Sequence, residues 1–187
     1  MYKTDVVIST KSWLKEDLSS AEAFKADFTT FRRERSARGV WIFIRVKSII
    51  APTELWVDDD FEIVAVEKKE VDPKYSYKII GIYRAPNQDI LAIERLATRT
   101  LPARNLMMRS IIGGDLNLPQ ADSKGEADKA SGFQAMVNSL VWDNGYTKVV
   151  SGPTRVDALL YIYLLRPGSS LISCNILPGI SDHNGFY

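Results

Sequence analysis

The sequence has few of the residues that build disulfides or zinc sites. It contains a single cysteine, Cys174, and a single histidine, His183. One cysteine cannot form an internal disulfide, and Cys174 lies in an alternating apolar stretch where a buried, unreactive thiol is typical. A disulfide framework and a multi-cysteine zinc site are therefore excluded.

Long hydrophobic runs and a large net charge are also missing. No apolar stretch approaches the length of a membrane-spanning helix, and residues 1–10 lack the order of a secretory signal. We therefore expect an intracellular protein, in the nucleus or cytoplasm, that is not secreted and has no membrane partner. Lys and Arg number 24 against 23 Asp and Glu, and this net charge of +1 provides no global attraction to nucleic acid.

The chain is long enough for one sizeable core, and its 187 residues with a hydrophobic fraction of 45% predict a single domain over 1–187. Short β-rich runs dominate it. They cover residues 6–10, 28–32, 40–46, 61–66, 75–83, 110–112, 147–150, 158–164 and 171–176.

Two helical patterns interrupt the strands. The clearer one covers residues 131–144, with an apolar stripe, a capping box from Ser131 to Gln134, and Gly145 as a stop. The weaker one covers residues 89–98. Together these elements predict an α/β (α+β) fold, a four-layer sandwich of two packed, mostly antiparallel sheets flanked by helices.

Three polar motifs follow apolar strands. In the first, Gly113-Gly114-Asp115-Leu116-Asn117, the glycines allow close approach, the carboxylate can take a proton from water, and the amide can donate to a phosphate oxygen. A plain turn with Asx capping explains the same residues. Both interpretations remain open for this segment.

The other two motifs have similar alternatives. Ser181-Asp182-His183 places an acid that can bind a cation beside an imidazole that can stabilise a phosphoryl oxygen, although a lone histidine is usually structural. Tyr83-Arg84-Ala85-Pro86-Asn87 ends a strand with a phenol, a cation and an amide, which suit a phosphodiester as well as an ordinary strand exit.

Taken in order, these three motifs resemble those of the endonuclease/exonuclease/phosphatase family. Three further segments resemble specifically the endonuclease domains of non-LTR (LINE-type) retrotransposons: Ser12-Trp13-Leu14, the basic residues 31–40 and Gly152-Pro153-Thr154-Arg155. The resemblance implies DNA as the partner, Mg²⁺ as the cofactor and hydrolysis of the DNA backbone by in-line attack of water. By resemblance Asp115 activates the water, Asn117 and Tyr83 contact the phosphate, His183 stabilises the transition state, and Asp182 belongs to the metal site.

Two positions depart from the family pattern. Lys11, in Thr10-Lys11-Ser12-Trp13, stands where the resemblance expects the glutamate that binds magnesium, and an ammonium offers no oxygen ligand. Tyr161 stands where an aspartate is expected to orient the histidine. The resemblance also implies that terminal strands on both sides of the conserved region are missing. The sequence therefore predicts a truncated, impaired copy in which magnesium binding is weak.

Residues outside the motifs give weaker predictions. A basic segment could contact DNA phosphates together with Asn87, although Glu34 within it also suits a solvated turn; its arginines are Arg32, Arg33, Arg35 and Arg38. Two alternatives to a DNA endonuclease remain open. One is a phosphatase or lipid phosphodiesterase on the same fold, and the other is a non-catalytic relic that binds nucleic acid or protein.

Overall fold

The computed structural model describes residues 5–11, 27–33, 42–47, 52–58, 62–69, 71–72, 75–85, 109–117, 142–150, 161–166, 175–177 and 185–186. Eleven strands lie within these residues. In chain order they are β1 (Val6–Ser9), β2 (Phe28–Arg33), β3 (Ile42–Lys47), β4 (Thr53–Asp58), β5 (Glu62–Lys68), β6 (Tyr77–Tyr83), β7 (Arg109–Asp115), β8 (Thr147–Lys148), β9 (Tyr161–Leu165), β10 (Ile176–Leu177) and β11 (Gly185–Phe186).

The strands form two main sheets. One has three strands in the order β1-β3-β2, and the other has six in the order β4-β5-β6-β7-β9-β8. Every pairing is antiparallel except that of β6 with β7, which run parallel so that Tyr83 and Asp115 end at the same edge. The predicted sandwich of two mostly antiparallel sheets is therefore confirmed.

The two sheets pack face to face through branched aliphatic side chains. The buried residues of this core are Ile42, Ile44 and Val46 from β3, Val64 and Val66 from β5, and Ile79 from β6. The other face of the six-stranded sheet is buried as well, as Ala65, Ile80 and Ile112 show. Burial on both faces explains why β5, β6 and β7 read as nearly continuous apolar runs in the sequence.

The predicted helices lie mostly outside the described residues. All of 89–98 is outside, and of 131–144 only the end is described, where Trp142 and Asp143 are helical. Gly145 follows with a φ of 70° and donates its N–H to the carbonyl of Trp142. This backbone conformation is the one that favours glycine after a helix, in agreement with the predicted stop.

Two strands were not predicted. β4 contains Glu54 and has a register shift against β5 between Glu54 and Trp56, which obscures the alternation expected of a strand. β11 follows the Ser-Asp-His motif and pairs with β10, so the prediction that no strand closes the chain after this motif was wrong. Among the described residues no helix is long and apolar enough to cross a membrane.

Candidate active site

Three side chains form a row at the edge of the six-stranded sheet where β6 and β7 end. They lie on the face that packs against the three-stranded sheet. Tyr83 pairs with Asp115 across β6 and β7, and Glu62 pairs with Tyr83 across β5 and β6. On the other side of β7, the backbone of Tyr161 in β9 pairs with that of Asp115. Because paired residues point to the same face, Glu62, Tyr83 and Asp115 are neighbours on this face of the sheet.

Glycine determines how Asp115 is presented. Gly114 has a φ of 147°, and a Cβ atom there would lie 1.8 Å from the carbonyl oxygen of Ile82. No other residue can occupy this position without moving the backbone of β6. The parallel strand beside it can therefore approach closely, and the Asp115 side chain is fully buried, with 0% exposure.

A pair of glycines on β6 and β7 allows β1 to pack closely on the large sheet. Gly81 and Gly113 are register partners, and Cβ atoms added to them would lie 3.2 Å and 3.0 Å from side-chain atoms of Ile8. Ile8 therefore fills the space that these glycines leave. This contact places the end of β1, with Thr10 and Lys11 after it, over the end of β7.

Lys11 follows β1 and forms an ion pair with Asp115. Its Nζ atom lies 2.8 Å from Asp115 Oδ2, and 5.3 Å from the centre of the Tyr83 ring. Asp115 Oδ2 accepts no hydrogen bond from the described residues, so the contact with the ammonium is ionic and not an aligned hydrogen bond. Lys11 has a φ of 53°, a left-handed conformation that is uncommon for lysine.

Asn117 closes a turn directly after the strand. Its φ is 49°, its backbone N–H donates to Asp115 Oδ1 at 2.8 Å, and its side-chain Nδ2 donates to the Arg84 carbonyl at 2.7 Å. This is the Asx-capped turn that the sequence left open as the alternative. The Asn117 side chain also lies near enough to the Tyr83 phenol to oppose the rise in its pKa, so an amide stands beside the phenol at these strand ends.

Arg84 was predicted as a group that could contact a phosphodiester, and the structure gives it a different role. Its Nη1 donates to the carbonyls of Leu116 at 3.0 Å and Asn117 at 3.3 Å, and its backbone N–H donates to the Asp115 carbonyl. The residue is buried, and burial lowers the pKa of its guanidinium while Asp115 opposes that change. Arg84 therefore fixes the loop that carries Asn117.

The phenol of Tyr83 stays protonated at neutral pH. Burial raises its pKa, the Lys11 ammonium lowers it, and the Asp115 and Glu62 carboxylates raise it. Glu62 was not predicted as part of the site. Its only signal in the sequence is an acidic residue at the start of an apolar strand, and it is 9% exposed in the structure.

The described residues do not fit a magnesium ion. They contain no group of three or more acidic, histidine or cysteine side chains that could hold a metal. Asp115 uses Oδ1 to accept the Asn117 N–H and has the Lys11 ammonium at Oδ2. A divalent cation prefers a shell of oxygen ligands, and an ammonium at this distance both occupies the carboxylate and repels the ion.

The remaining predicted residues are distributed as follows. Arg32 and Arg33 lie at the end of β2, and Arg32 is in register with Phe43, which pairs with Ser9 of β1. They therefore share the end of the three-stranded sheet that leads to Lys11. The other predicted residues lie outside the described part of the chain: Asp182, His183, Asn87, Arg35 and Arg38.

Solved structures share this fold. The endonuclease domain of TRAS1, a telomere-specific non-LTR retrotransposon, has a TM-score of 0.68 at 14% identity, covering 98% of this chain and 84% of that one. An AP endonuclease from Archaeoglobus fulgidus has a TM-score of 0.73 at 10% identity, covering 98% and 88%. D. rerio TDP2 complexed with single strand DNA product has a TM-score of 0.57 at 12% identity, covering 97% and 84%.

These neighbours define the class of structure. They have the endonuclease/exonuclease/phosphatase fold, so the resemblance based on the three motifs is confirmed at the level of the fold. No protein-family model matches the sequence, and no curated protein matches it.

Proposed function

We propose that the chain is a nuclease-type domain, over 1–187, whose site faces the phosphodiester backbone of DNA inside the cell, in the nucleus or cytoplasm. The observation that carries the proposal is the convergence of Tyr83, Asp115 and Asn117 at one end of the large sheet. Two neighbours of this fold are endonucleases by name, and a third holds a DNA product.

The reaction is hydrolysis by in-line attack of water on phosphorus, with cleavage of one P–O ester bond. Asp115 accepts the proton of the attacking water, and the imidazole of His183 stabilises the negative charge that develops on the phosphoryl oxygens. Tyr83, with its phenol protonated, and Asn117 are the groups that hydrogen-bond the phosphate. In this proposal Asp182 is a residue of the metal site and Asn87 contacts DNA.

The ion pair between Lys11 and Asp115 weakens this chemistry. The Lys11 ammonium, at 2.8 Å, occupies one oxygen of the Asp115 carboxylate, so that oxygen is less available to take a proton from water. Asp115 is also fully buried, with 0% side-chain exposure, which restricts the access of water to its carboxylate. With Tyr161 in place of an orienting carboxylate, His183 lacks the partner that would favour its charged form. We therefore expect the chain to cleave DNA slowly or not at all.

A nicking assay on supercoiled plasmid tests this function. The unmodified chain, Lys11→Glu, Tyr161→Asp and the double variant are compared in magnesium and in chelator. We expect background nicking by the unmodified chain and far more by the double variant than by either single change, because residues of one site act non-additively. Adding His183→Ala to the double variant should abolish the gain, which excludes a contaminating nuclease.

Two results would contradict the proposal in different ways. Brisk nicking by the unmodified chain that is lost in His183→Ala would show that the site is not impaired. A double variant that unfolds cooperatively yet neither binds nor nicks DNA would refute the nuclease-type function itself.

The buried ion pair supports a second candidate, a domain that binds DNA without cleaving it. An ammonium against the carboxylate provides a permanent positive group at the site and removes the free base. Retention of DNA in chelator, with no nicking in magnesium, would distinguish this function from catalysis.

A further inference from the structure

The two partners of the buried ion pair differ in how they meet solvent. The side chain of Lys11 is 22% exposed, whereas that of Asp115 is 0% exposed. A ligand in solvent can therefore contact the Lys11 side chain, whereas the Asp115 carboxylate has no accessible surface. Although the pair is neutral as a whole, its outer partner is the cation.

The surroundings of Lys11 hold its ammonium in this position. Ile8 packs over Gly81 and Gly113, which fixes the end of β1, and the left-handed backbone of Lys11 directs the chain off the strand at that point. The ring of Tyr83 lies on a second side of the ammonium at 5.3 Å. An ammonium has three N–H donors, so the contacts with Asp115 and Tyr83 leave donors for an anion.

More positive charge lies at the same end of the small sheet. Arg32 and Arg33 end β2 there, opposite Phe43 and Ile42 of β3. β3 lies between β1 and β2, so an anion that approaches Lys11 meets these further cations two strands away, and their field raises its local concentration.

We infer that Lys11 is a tethered cation that makes this end of the sheet a phosphate-ester subsite, one that binds its anion without a divalent metal and excludes magnesium from Asp115. The identification of DNA as the source of the phosphate ester rests on the proposed function. The exclusion of magnesium rests only on the contact between Lys11 and Asp115 and is tested without DNA.

The first experiment measures binding of a fluorescent DNA duplex by anisotropy, in chelator and in magnesium at constant ionic strength. We expect magnesium not to raise the affinity of the unmodified chain. Lys11→Gln should weaken binding in chelator about tenfold, the effect of losing one charge-assisted hydrogen bond. Lys11→Arg should retain the affinity, and Asp115→Asn should increase it because the ammonium is no longer neutralised.

Lys47→Gln is the matched control. Lys47 ends β3 at the opposite end of the small sheet, pairs with Asp5 on the surface, and loses the same charge when substituted. Its effect on DNA binding should be less than about twofold, because one distant surface charge is largely screened.

The second experiment follows thermal unfolding of the free protein with and without magnesium. The unmodified chain should melt at the same temperature in both. Lys11→Glu places two carboxylates together, so it should melt at a lower temperature in chelator and recover in magnesium.

The outcomes test the phosphate-ester subsite and the exclusion of magnesium separately. If magnesium strengthens DNA binding by the unmodified chain, or if Lys11→Gln binds as tightly as the unmodified chain, the inference is wrong. It is also wrong if magnesium raises the melting temperature of the unmodified chain as much as that of Lys11→Glu. If the unmodified chain binds no DNA while the melting results hold, the proposed function and the phosphate-ester subsite fail, and the exclusion of magnesium by Lys11 stands.

Discussion

The two ends of the six-stranded sheet both carry buried polar groups, but the partners of these groups come from different parts of the structure. Where β7 begins, Ser110 Oγ lies 2.6 Å from the hydroxyl of Tyr146, and Glu67 of β5 pairs with Lys69 two residues away. Where β7 finishes, the Asp115 carboxylate pairs with Lys11, which the other sheet supplies.

This contrast separates two ways of accommodating buried polar groups. At the first end Ser110 and Glu67 each have a partner on the same sheet or on the segment beside it, and the charged partner Lys69 remains 76% exposed. At the second end two sheets must pack before the charges meet, and an acid, a phenol and an amide gather in one place. Such concentration of coupled groups is typical of active sites.

The largest effect should come from a glycine at the second end. In Gly114→Ala the new methyl group would overlap the Ile82 carbonyl at 1.8 Å, so β6 and β7 must separate. We expect a loss of roughly 4 kcal/mol or more in the free energy of unfolding, measured by urea denaturation. Gly145→Ala is the control, since Gly145 has a φ of 70° in an exposed turn and should lose about 1 kcal/mol. Equal losses at the two glycines would contradict this account.

The next effect concerns the two ion pairs. Lys11→Met leaves the Asp115 carboxylate buried without a cation and should lose roughly 3 kcal/mol of stability, the low end for a buried pair because Lys11 keeps some contact with solvent. Lys69→Met, at the other end, should lose less than about 0.5 kcal/mol because that ammonium is exposed. Both are measured by urea denaturation at neutral pH.

A double variant identifies the interaction itself. Combining Lys11→Met with Asp115→Asn should lose less stability than the sum of the two single changes, since the second change removes the unpaired charge. Strictly additive losses would mean that the two side chains do not interact in solution.

Substitution of one arginine at each end of the sheet should cause smaller losses of stability. Arg84→Met removes the donors to the carbonyls of Leu116 and Asn117 and should lose about 2 kcal/mol. Arg109→Met removes one half-buried bond to the Tyr77 hydroxyl and should lose about 1 kcal/mol or less. DNA affinity should fall only in Arg84→Met, because Arg84 holds the turn of Asn117. A fall in both variants would mean that the effect is electrostatic and not positional.

The smallest effect should be a dependence on alkaline pH. Burial raises the pKa of both Tyr83 and Tyr146 above the ordinary value of 10.0. Each protonated phenol therefore contributes its full stabilisation of the folded state below pH 10.0. That contribution is lost as the pH rises through the pKa of the phenol in the folded state. Stability should therefore decline above pH 10.0, and Tyr83→Phe and Tyr146→Phe should each reduce the decline.

Removing a neighbouring charge distinguishes the two phenols. Asp115→Asn should lower the pKa of Tyr83, because that carboxylate raises it, and should leave Tyr146 unchanged. Spectrophotometric titration of phenolate absorbance measures both. A Tyr83 pKa that does not move in Asp115→Asn would show that the two side chains are not coupled.

Much of the fold could be predicted from local patterns. Nine of the predicted runs overlap or adjoin observed strands, because alternating or continuous β-branched residues reflect burial on one face or both. β4 could not be predicted, since its bulge disrupts the pattern. Asp58 ends this strand, because backbone pairing with β5 overrides the low strand propensity of aspartate.

The sequence by itself determined which chemical groups stand at the strand ends. Tyr83, Asp115 and Asn117 were recognisable there because strands, glycines and turn residues have short-range signatures. It also showed that a lysine stands at position 11 where an acid was expected.

Only the tertiary structure decided what these groups contact. Arg84 donates to carbonyls of another loop. Lys11 contacts Asp115 because Ile8 packs over Gly81 and Gly113. These distances follow from strand register and from the packing of one sheet on the other. Both depend on residues far apart in the chain, so no local pattern encodes them.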